Sequence, residues 1–287
     1  MAGLAAVAVA AAEKSFSKQI SKDQKVQHAL NRLTFGARPG DAEAVARMGL
    51  DKWLDAQLHP ETIAESAALT SRLDALATLK MTSGEIADRF QIPLQEAVQA
   101  ARTDGKDAAA KQLKQQLKQQ AGQGNGPAVP IRELNEAKLL RAIYSERQLE
   151  EQLVDFWFNH FNVNAQKGAV RLLLTSYERD AIRPHVWGKF RDLLGATAEH
   201  PAMLFYLDNW QSSVPQAQGP FAKAKAKQAA GINENYAREL LELHTLGVDN
   251  GYTQQDIVDV ARCLTGWTIV QPRLGGSFAF VERMHDR

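Results

Sequence analysis

The sequence predicts an all-α fold, an irregular multi-helix bundle of about ten helices with a short strand-like C-terminal end. Apolar residues recur at intervals of three and four along nearly every periodic segment, which is the spacing of one helix face. Capping residues and glycine stops mark the ends of these segments. With 45% hydrophobic and 23% charged residues among 287, the chain has enough apolar surface to bury a full core.

Helical segments fill the first hundred residues of the chain. In the first segment, Val26, Leu30 and Leu33 lie on one face. Asp51 and Ser83 are the predicted N-caps of two later helices, because their side chains accept hydrogen bonds from first-turn amides. The predicted helices are 22–34, a short helix ending at Gly49, a helix beginning after Asp51, and the stretches 61–80 and 83–103.

Residues 108–120 predict an exposed helical arm, because only Leu113 and Leu117 are available for burial and lysines dominate the rest. The arm has no aromatic side chain on which bases would stack, so nucleic acid is not an expected partner. A glycine-rich stretch then interrupts the chain. The sequence therefore divides into a signal-like segment at 1–12, an N-terminal helical section with the arm at 13–121, a linker at 122–131 and a C-terminal helical core at 132–287.

The C-terminal core again consists of helices with recognisable ends. Ser145 and Gln148 resemble a capping box, as do Thr253 and Asp256, while Asn233 is a predicted N-cap and Gly247 a predicted stop. Seven helices are predicted there, at 132–144, 146–161, 170–182, 184–198, 201–207, 234–246 and 254–265.

The last residues break this helical pattern. After Gly275 and Gly276, large apolar and small side chains alternate along residues 277–281, which is the pattern of a half-buried strand. A lone strand leaves its backbone groups unpaired, and no upstream segment is an evident partner. We therefore expect residues 268–287 to be mobile or misplaced, and the chain to be a fragment of a longer protein.

Residues 1–12 are apolar and rich in alanine. The run is too short for the ~20 residues of a membrane span, and its small residues before Glu13 suit a signal-peptide cleavage site. The sequence therefore predicts a periplasmic or secreted protein without an integral membrane segment. A fraying N-terminus is the alternative interpretation.

Charge, cysteine content and motifs exclude several classes of site. The 34 basic and 33 acidic residues nearly balance, so no overall field attracts polyanions. The single cysteine, Cys263, excludes an internal disulfide and a cysteine-rich zinc site. No phosphate-binding loop, nucleophile elbow or metalloprotease motif is present, and no metal ligands or cofactor can be assigned.

Two polar side chains occur within apolar helix faces. A helical wheel places His160 between Leu149 and Leu153, so the imidazole is expected in the core, either as a structural residue or as a catalytic one. A second wheel places Glu239 between Leu243 and Leu246, where a carboxylate needs a cation or hydrogen bonds. Glu239 and His160 are therefore the catalytic candidates, although a structural ion pair explains Glu239 equally well.

Neighbouring polar and aromatic residues are weaker candidates for binding. His244 falls within the apolar arc, whereas Arg238 and Glu242 lie on the polar side at the spacing of an ordinary helix ion pair. The candidate binding residues are Arg238, Glu242, His244, Trp157 and Asn233.

Several longer segments resemble a bacterial family of uncharacterised proteins, Domain of Unknown Function 1800. They include Asp155-Phe-Trp-Phe-Asn-His-Phe161, Tyr177-Glu-Arg-Asp-Ala-Ile-Arg-Pro184 and the stretch from Asn233 to Gly247. The resemblance covers about residues 24–285. It implies a bacterial and often exported protein, frequently encoded beside a sulfatase-like family and longer than this chain. It transfers no catalytic residue.

Two functions of different classes follow. The first is an exported accessory or binding protein that acts with a secreted sulfatase-like partner or a cell-surface polymer. The second is a hydrolase-like enzyme that uses Glu239 and His160 as acid and base. The absence of catalytic motifs favours the first.

Overall fold

The predicted all-α class is confirmed. The computed structural model describes residues 20–91, 126–214, 231–271 and 275–286, together with the isolated positions 99, 111, 112 and 115. These residues form twelve α-helices and one two-stranded sheet. In this part of the chain, no helix combines the length and the apolarity needed to cross a membrane. The signal-like segment 1–12 and most of the arm lie outside the described residues.

The chain forms two compact units. The first contains the described residues of Met1–Ser66 together with Ala142–Gln152, and the second those of Ala67–Arg141 together with Leu153–Arg287. The predicted linker at 122–131 overlaps the start of a helix, because the helix expected from 132 begins at Val129. The predicted division of the chain at that linker stays a prediction.

The first unit begins with helices α1 (Lys22–Leu33), α2 (Asp41–Met48) and α3 (Leu50–Leu58). Val26, Leu30 and Val45 form its buried core, as the spacing of apolar residues in α1 predicts. The prediction of Asp51 as the N-cap of α3 is wrong, because Gly49 occupies the N-cap position and Asp51 lies in the first turn.

In the second unit, the helices are α4 (Ala67–Asp74), α5 (Ser83–Phe90), α8 (Val170–Ser176), α9 (Phe190–Glu199), α10 (Pro201–Tyr206), α11 (Glu234–Glu239) and α12 (Gln254–Cys263). Helices α6 (Val129–Tyr144) and α7 (Gln148–His160) contribute residues to both units. Two helices continue as π-helical turns, α8 through Tyr177–Ile182 and α11 through Leu240–Thr245. The 3-10 turns are Pro60–Thr62, Ala77–Lys80, Arg183–His185, Asn209–Gln211 and Glu282–Met284.

The capping predictions for the second unit have mixed outcomes. Thr253 and Asp256 form the expected capping box, and Asn233 caps α11 through Tyr236. The cap of α5 is Thr82 and not Ser83, because Thr82 forms the capping box with Glu85.

The stretch 184–198, predicted as one helix, is instead a 3-10 turn followed by α9. Gly188 interrupts the helix, and the extended backbone of Lys189 (ψ 142°) starts α9 afresh at Phe190.

Two buried tyrosines organise the core of the second unit. Tyr177 and Tyr236 are both fully buried. The Tyr177 hydroxyl donates to the carbonyl of Phe161 at 2.8 Å, and the Tyr236 hydroxyl donates to that of Ala198 at 2.7 Å. Burying a phenol is favourable when its hydroxyl finds such a partner, so these residues fix how the helices pack.

The C-terminal strand has a partner, contrary to the expectation from sequence. Strand β1 (Trp267–Val270) pairs antiparallel with β2 (Ser277–Phe280), and Ile269 lies opposite Phe278. The aromatic and β-branched residues of β1 favour a strand, but four residues are too few for their alternation to be recognised. The expectation that residues 268–287 are mobile or misplaced therefore loses its premise.

Candidate functional site

Five ring-bearing side chains meet at the surface of the second unit, next to the buried Phe161. Trp157 contacts Phe156 at 4.9 Å and Phe190 at 5.7 Å between ring centroids. Phe156 is 57% exposed and Phe190 43% exposed. We call Phe156, Trp157, His160 and Phe190 the aromatic surface, and His244 lies beneath it.

His160 lies at the edge of this surface and not in the core. The residue is half-buried, and its Nε2 is 3.1 Å from the carbonyl oxygen of His244. This contact with a backbone carbonyl fits the structural alternative, whereas the expected core burial is wrong. The error is visible along α7, where Glu151 is buried and Phe156 is exposed, the reverse of what a wheel with Leu149 and Leu153 on the buried face predicts.

His244 is buried, as its position in the apolar arc predicts. Its ring packs edge-on against Phe161 at 5.3 Å and lies 6.4 Å from the His160 ring. Desolvation lowers the pKa of His244 from 6.5 to about 4, and the charge of His160 contributes in the same direction. The imidazole is therefore neutral near pH 7.

Glu239 is not the buried, paired acid that the sequence predicts. It is half-buried, and among the described residues it forms no hydrogen bond or ion pair. Leu243 and Leu246, which were expected to enclose it, are 58% and 48% exposed. The wheel fails because residues 240–245 form a π-helical turn, whose wider repeat shifts every later side chain around the axis.

The remaining candidates serve local structure. Arg238 and Glu242 form the expected ion pair at 3.2 Å. Asn233 donates from Nδ2 to the carbonyl of Leu207 at 2.6 Å, while its Oδ1 accepts from the amide of Tyr236. The structure thus brings Trp157, His160 and His244 together, but it joins neither Glu239 nor Asn233 to them by a described contact.

Among the described residues of the second unit, the buried acid is Glu178, which is not one of the candidates predicted from the sequence. Its side chain is 3% exposed and lies 3.4 Å from Lys138, 3.5 Å from Arg141 and 3.2 Å from Arg183. Burial by itself raises the pKa of Glu178, but the charges of the three cations outweigh it, so the pKa lies below its ordinary value. Glu178 is therefore an ionised carboxylate inside the protein.

Helix geometry explains how this cluster forms. Glu178 and Arg183 lie five residues apart in and just after the π-helical turn, and five is the hydrogen-bond interval of a π-helix. Lys138 and Arg141 are one turn apart on α6. A sequence signal for Glu178 exists, because Leu174, Ala181 and Ile182 share its helix face and are all buried.

A polar cleft opens where α10 ends and α11 begins. Its volume is about 320 Å³, and Asp208, Gln211, Ser212, Asn233 and Asn235 are among its lining residues. In the described part of the chain, no three His, Cys, Asp or Glu side chains are grouped as metal ligands. An acid–base pair between Glu239 and His160 has no described contact to support it, so their catalytic roles stay predictions.

A family model described as "Protein of unknown function (DUF1800)" matches residues 28–287, nearly the whole chain. No curated protein and no solved structure matches the chain significantly.

Proposed function

Because the chain belongs to the DUF1800 family, whose description assigns no activity, we propose from its surface that it is an accessory protein that binds a protein partner. The aromatic surface is the observation that carries this proposal. Phe156 and Phe190 are both exposed, at 57% and 43%, although phenylalanine is a residue type that is normally buried. Leu243, Leu246 and Val248 add exposed apolar area in and just after the second π-helical turn.

A protein partner accounts for this surface better than a small molecule or a polyanion. Exposed apolar clusters mark interaction sites, and aromatic side chains are enriched where proteins contact one another. The near balance of charges in the whole chain gives no general attraction to polyanions. The sulfatase-like protein that the family resemblance implies is the first partner to test, and a cell-surface polymer is the competing one.

Site-specific cross-linking in the native host tests the proposal. A photoreactive phenylalanine analogue replaces Phe156 in one variant and Leu58 in the control, whose side chain is comparably exposed at 54%. We expect position 156 to capture one distinct protein that position 58 does not capture. The purified partner should then bind the Phe156→Ser variant at least tenfold more weakly than the Leu58→Ser variant.

Several outcomes would overturn the proposal. They are equal cross-linking at both positions, a cross-link confined to the protein's own chain, capture of a polysaccharide alone, and equal binding by the two serine variants.

We also propose that the protein is exported to the periplasm or beyond the cell, because residues 1–12 resemble a signal-peptide core ending in small residues. N-terminal sequencing of the protein from its host tests this. The expected first residue lies near position 13, and an intact Met1 on cytoplasmic protein would contradict export.

A further inference from the structure

The polar cleft shares no residue with the aromatic surface, so it calls for its own explanation. Its volume of about 320 Å³ lies at the lower end of cavities that hold small molecules. Five of its eight lining residues carry polar side chains, and only Asp208 among them is charged. This composition differs from that of an apolar cofactor pocket.

One wall of the cleft is fixed by hydrogen bonds. The amide of Asn233 donates to Ser212 Oγ at 3.1 Å, and Asn233 Nδ2 donates to the carbonyl of Leu207 at 2.6 Å. Ser212 is buried, with 1% exposure. These bonds join the end of α10 to the start of α11, so the wall is held before any ligand binds.

Asp208, which also lines the cleft, carries local strain. Asp208 has a φ of 60°, which non-glycine residues seldom adopt. Its carboxylate accepts from Lys167 Nζ at 2.6 Å. The next residue, Asn209, is fully buried, and its Oδ1 accepts no hydrogen bond in the described part of the chain. Costs of this kind concentrate at functional sites.

Two amide side chains at the cleft are uncommitted. Gln211 and Asn235 line it, and within the described residues their side chains form no hydrogen bond. Each amide offers both donors and an acceptor. Asp208 offers one further acceptor, its Oδ1, because Lys167 contacts the Oδ2 of that carboxylate.

The chemistry of these groups selects a class of ligand. An anion would meet the carboxylate of Asp208, while the nearby Lys167 is already paired with that carboxylate. An apolar molecule would cover the amides without satisfying them, which is unfavourable. Hydroxyl groups both donate and accept, and the half-buried Ile232 offers apolar contact to the C–H groups of a sugar ring.

We propose that this cleft binds a neutral polyhydroxylated ligand, namely a sugar ring within a glycan. The amides of Gln211 and Asn235 and the second carboxylate oxygen of Asp208 hold its hydroxyl groups, while Ile232 contacts its carbon face. The site is independent of the aromatic surface.

Titrating the full chain with sugars tests the proposal. The sugars are cellotetraose, maltotetraose and chitotetraose, and binding is measured by calorimetry and by amide NMR. At least one of the three should bind and shift the side-chain amide signals of Gln211 and Asn235. Asn235→Ala and Gln211→Ala should each weaken binding about tenfold, equal to ~1.4 kcal/mol. Gln255→Ala is the matched control, because Gln255 lies on α12 and bonds only to Asp259 among the described residues.

Because neither amide side chain forms a hydrogen bond within the described residues, Asn235→Ala and Gln211→Ala should fold normally. The thermal melts of these two variants and of Gln255→Ala should coincide. Binding should persist in 0.5 M sodium chloride and in the presence of sulfate. The proposal is overturned if none of the three sugars binds, if sulfate competes for the site, or if the two cleft variants bind as well as Gln255→Ala.

Discussion

Replacing Glu178 with glutamine should destabilise the protein more than any other single loss of charge described above. The substitution keeps the shape of the side chain but removes its negative charge. Lys138, Arg141 and Arg183, whose side chains are only 18–25% exposed, would then lose the anion that they share, while Lys138 would keep its ion pair with Asp155. Breaking a buried ion pair from one side costs about 3–5 kcal/mol.

That cost is large compared with the stability of the whole fold. Typical domains are stable by about 5–15 kcal/mol. At about 2–4 °C per kcal/mol for a domain of this size, the melting temperature should fall by about 6–20 °C. Glu242→Gln is the matched control, because it also removes a carboxylate from an ion pair, but from a more exposed one with Arg238. Its cost should stay under ~1 kcal/mol.

The pH dependence provides a second, charge-specific readout. The folded-state pKa of Glu178 lies below its ordinary value of 4.5. Its contribution is therefore fully present above that ordinary value, and it is lost as the pH falls through the folded-state pKa. Denaturant unfolding at several pH values should show a gap between wild type and Glu178→Gln that is full at neutral pH and closes in acid. Equal small losses for Glu178→Gln and Glu242→Gln would refute the reasoning.

Two further predictions concern the C-terminal sheet and two histidines whose pKa is lowered by desolvation. Gly266→Ala should destabilise the protein by more than ~1 kcal/mol, because Gly266 has a φ of 82° and an added Cβ would lie 2.8 Å from the carbonyl oxygen of Val281. Gly195→Ala, in a helix with no atom within 4 Å of the added carbon, should instead be neutral or stabilising by up to ~1 kcal/mol, and urea melts that rank the two alike would contradict this. Desolvation lowers the pKa of His200 and of His244 to about 4, so the unfolded chain binds more protons between pH 6.5 and about 4. Stability should therefore fall as the pH drops through that window, and NMR should find both imidazoles neutral at pH 6, whereas titration of either near 6.5 would count against their desolvation.

Local sequence signals determined most of the helical framework. The apolar spacing in α1 predicts the buried Val26 and Leu30. The hydrogen-bonding side chains of Asn233 and Thr253 predict the starts of α11 and α12. These signals succeed because a helix face and an N-cap depend on residues within one or two turns, so the class of fold follows from the sequence.

The site predictions failed where a wheel assumed one regular helix with one buried face. Helix α7 belongs to one compact unit at its start and to the other at its end, so no single arc describes which residues it buries. The π-helical turn at 240–245 changes the angular step, which misplaced Glu239. Neither property is apparent from periodicity.

Tertiary structure alone decided which polar groups meet. The carboxylate of Glu178 meets cations from α6, some 40 residues earlier in the chain, and from Arg183. The strand Ser277–Phe280 meets β1 through a register of only four residue pairs. His160 meets the backbone of His244 across 84 positions. Such contacts depend on how distant segments pack, and the sequence near each residue carries no record of that packing.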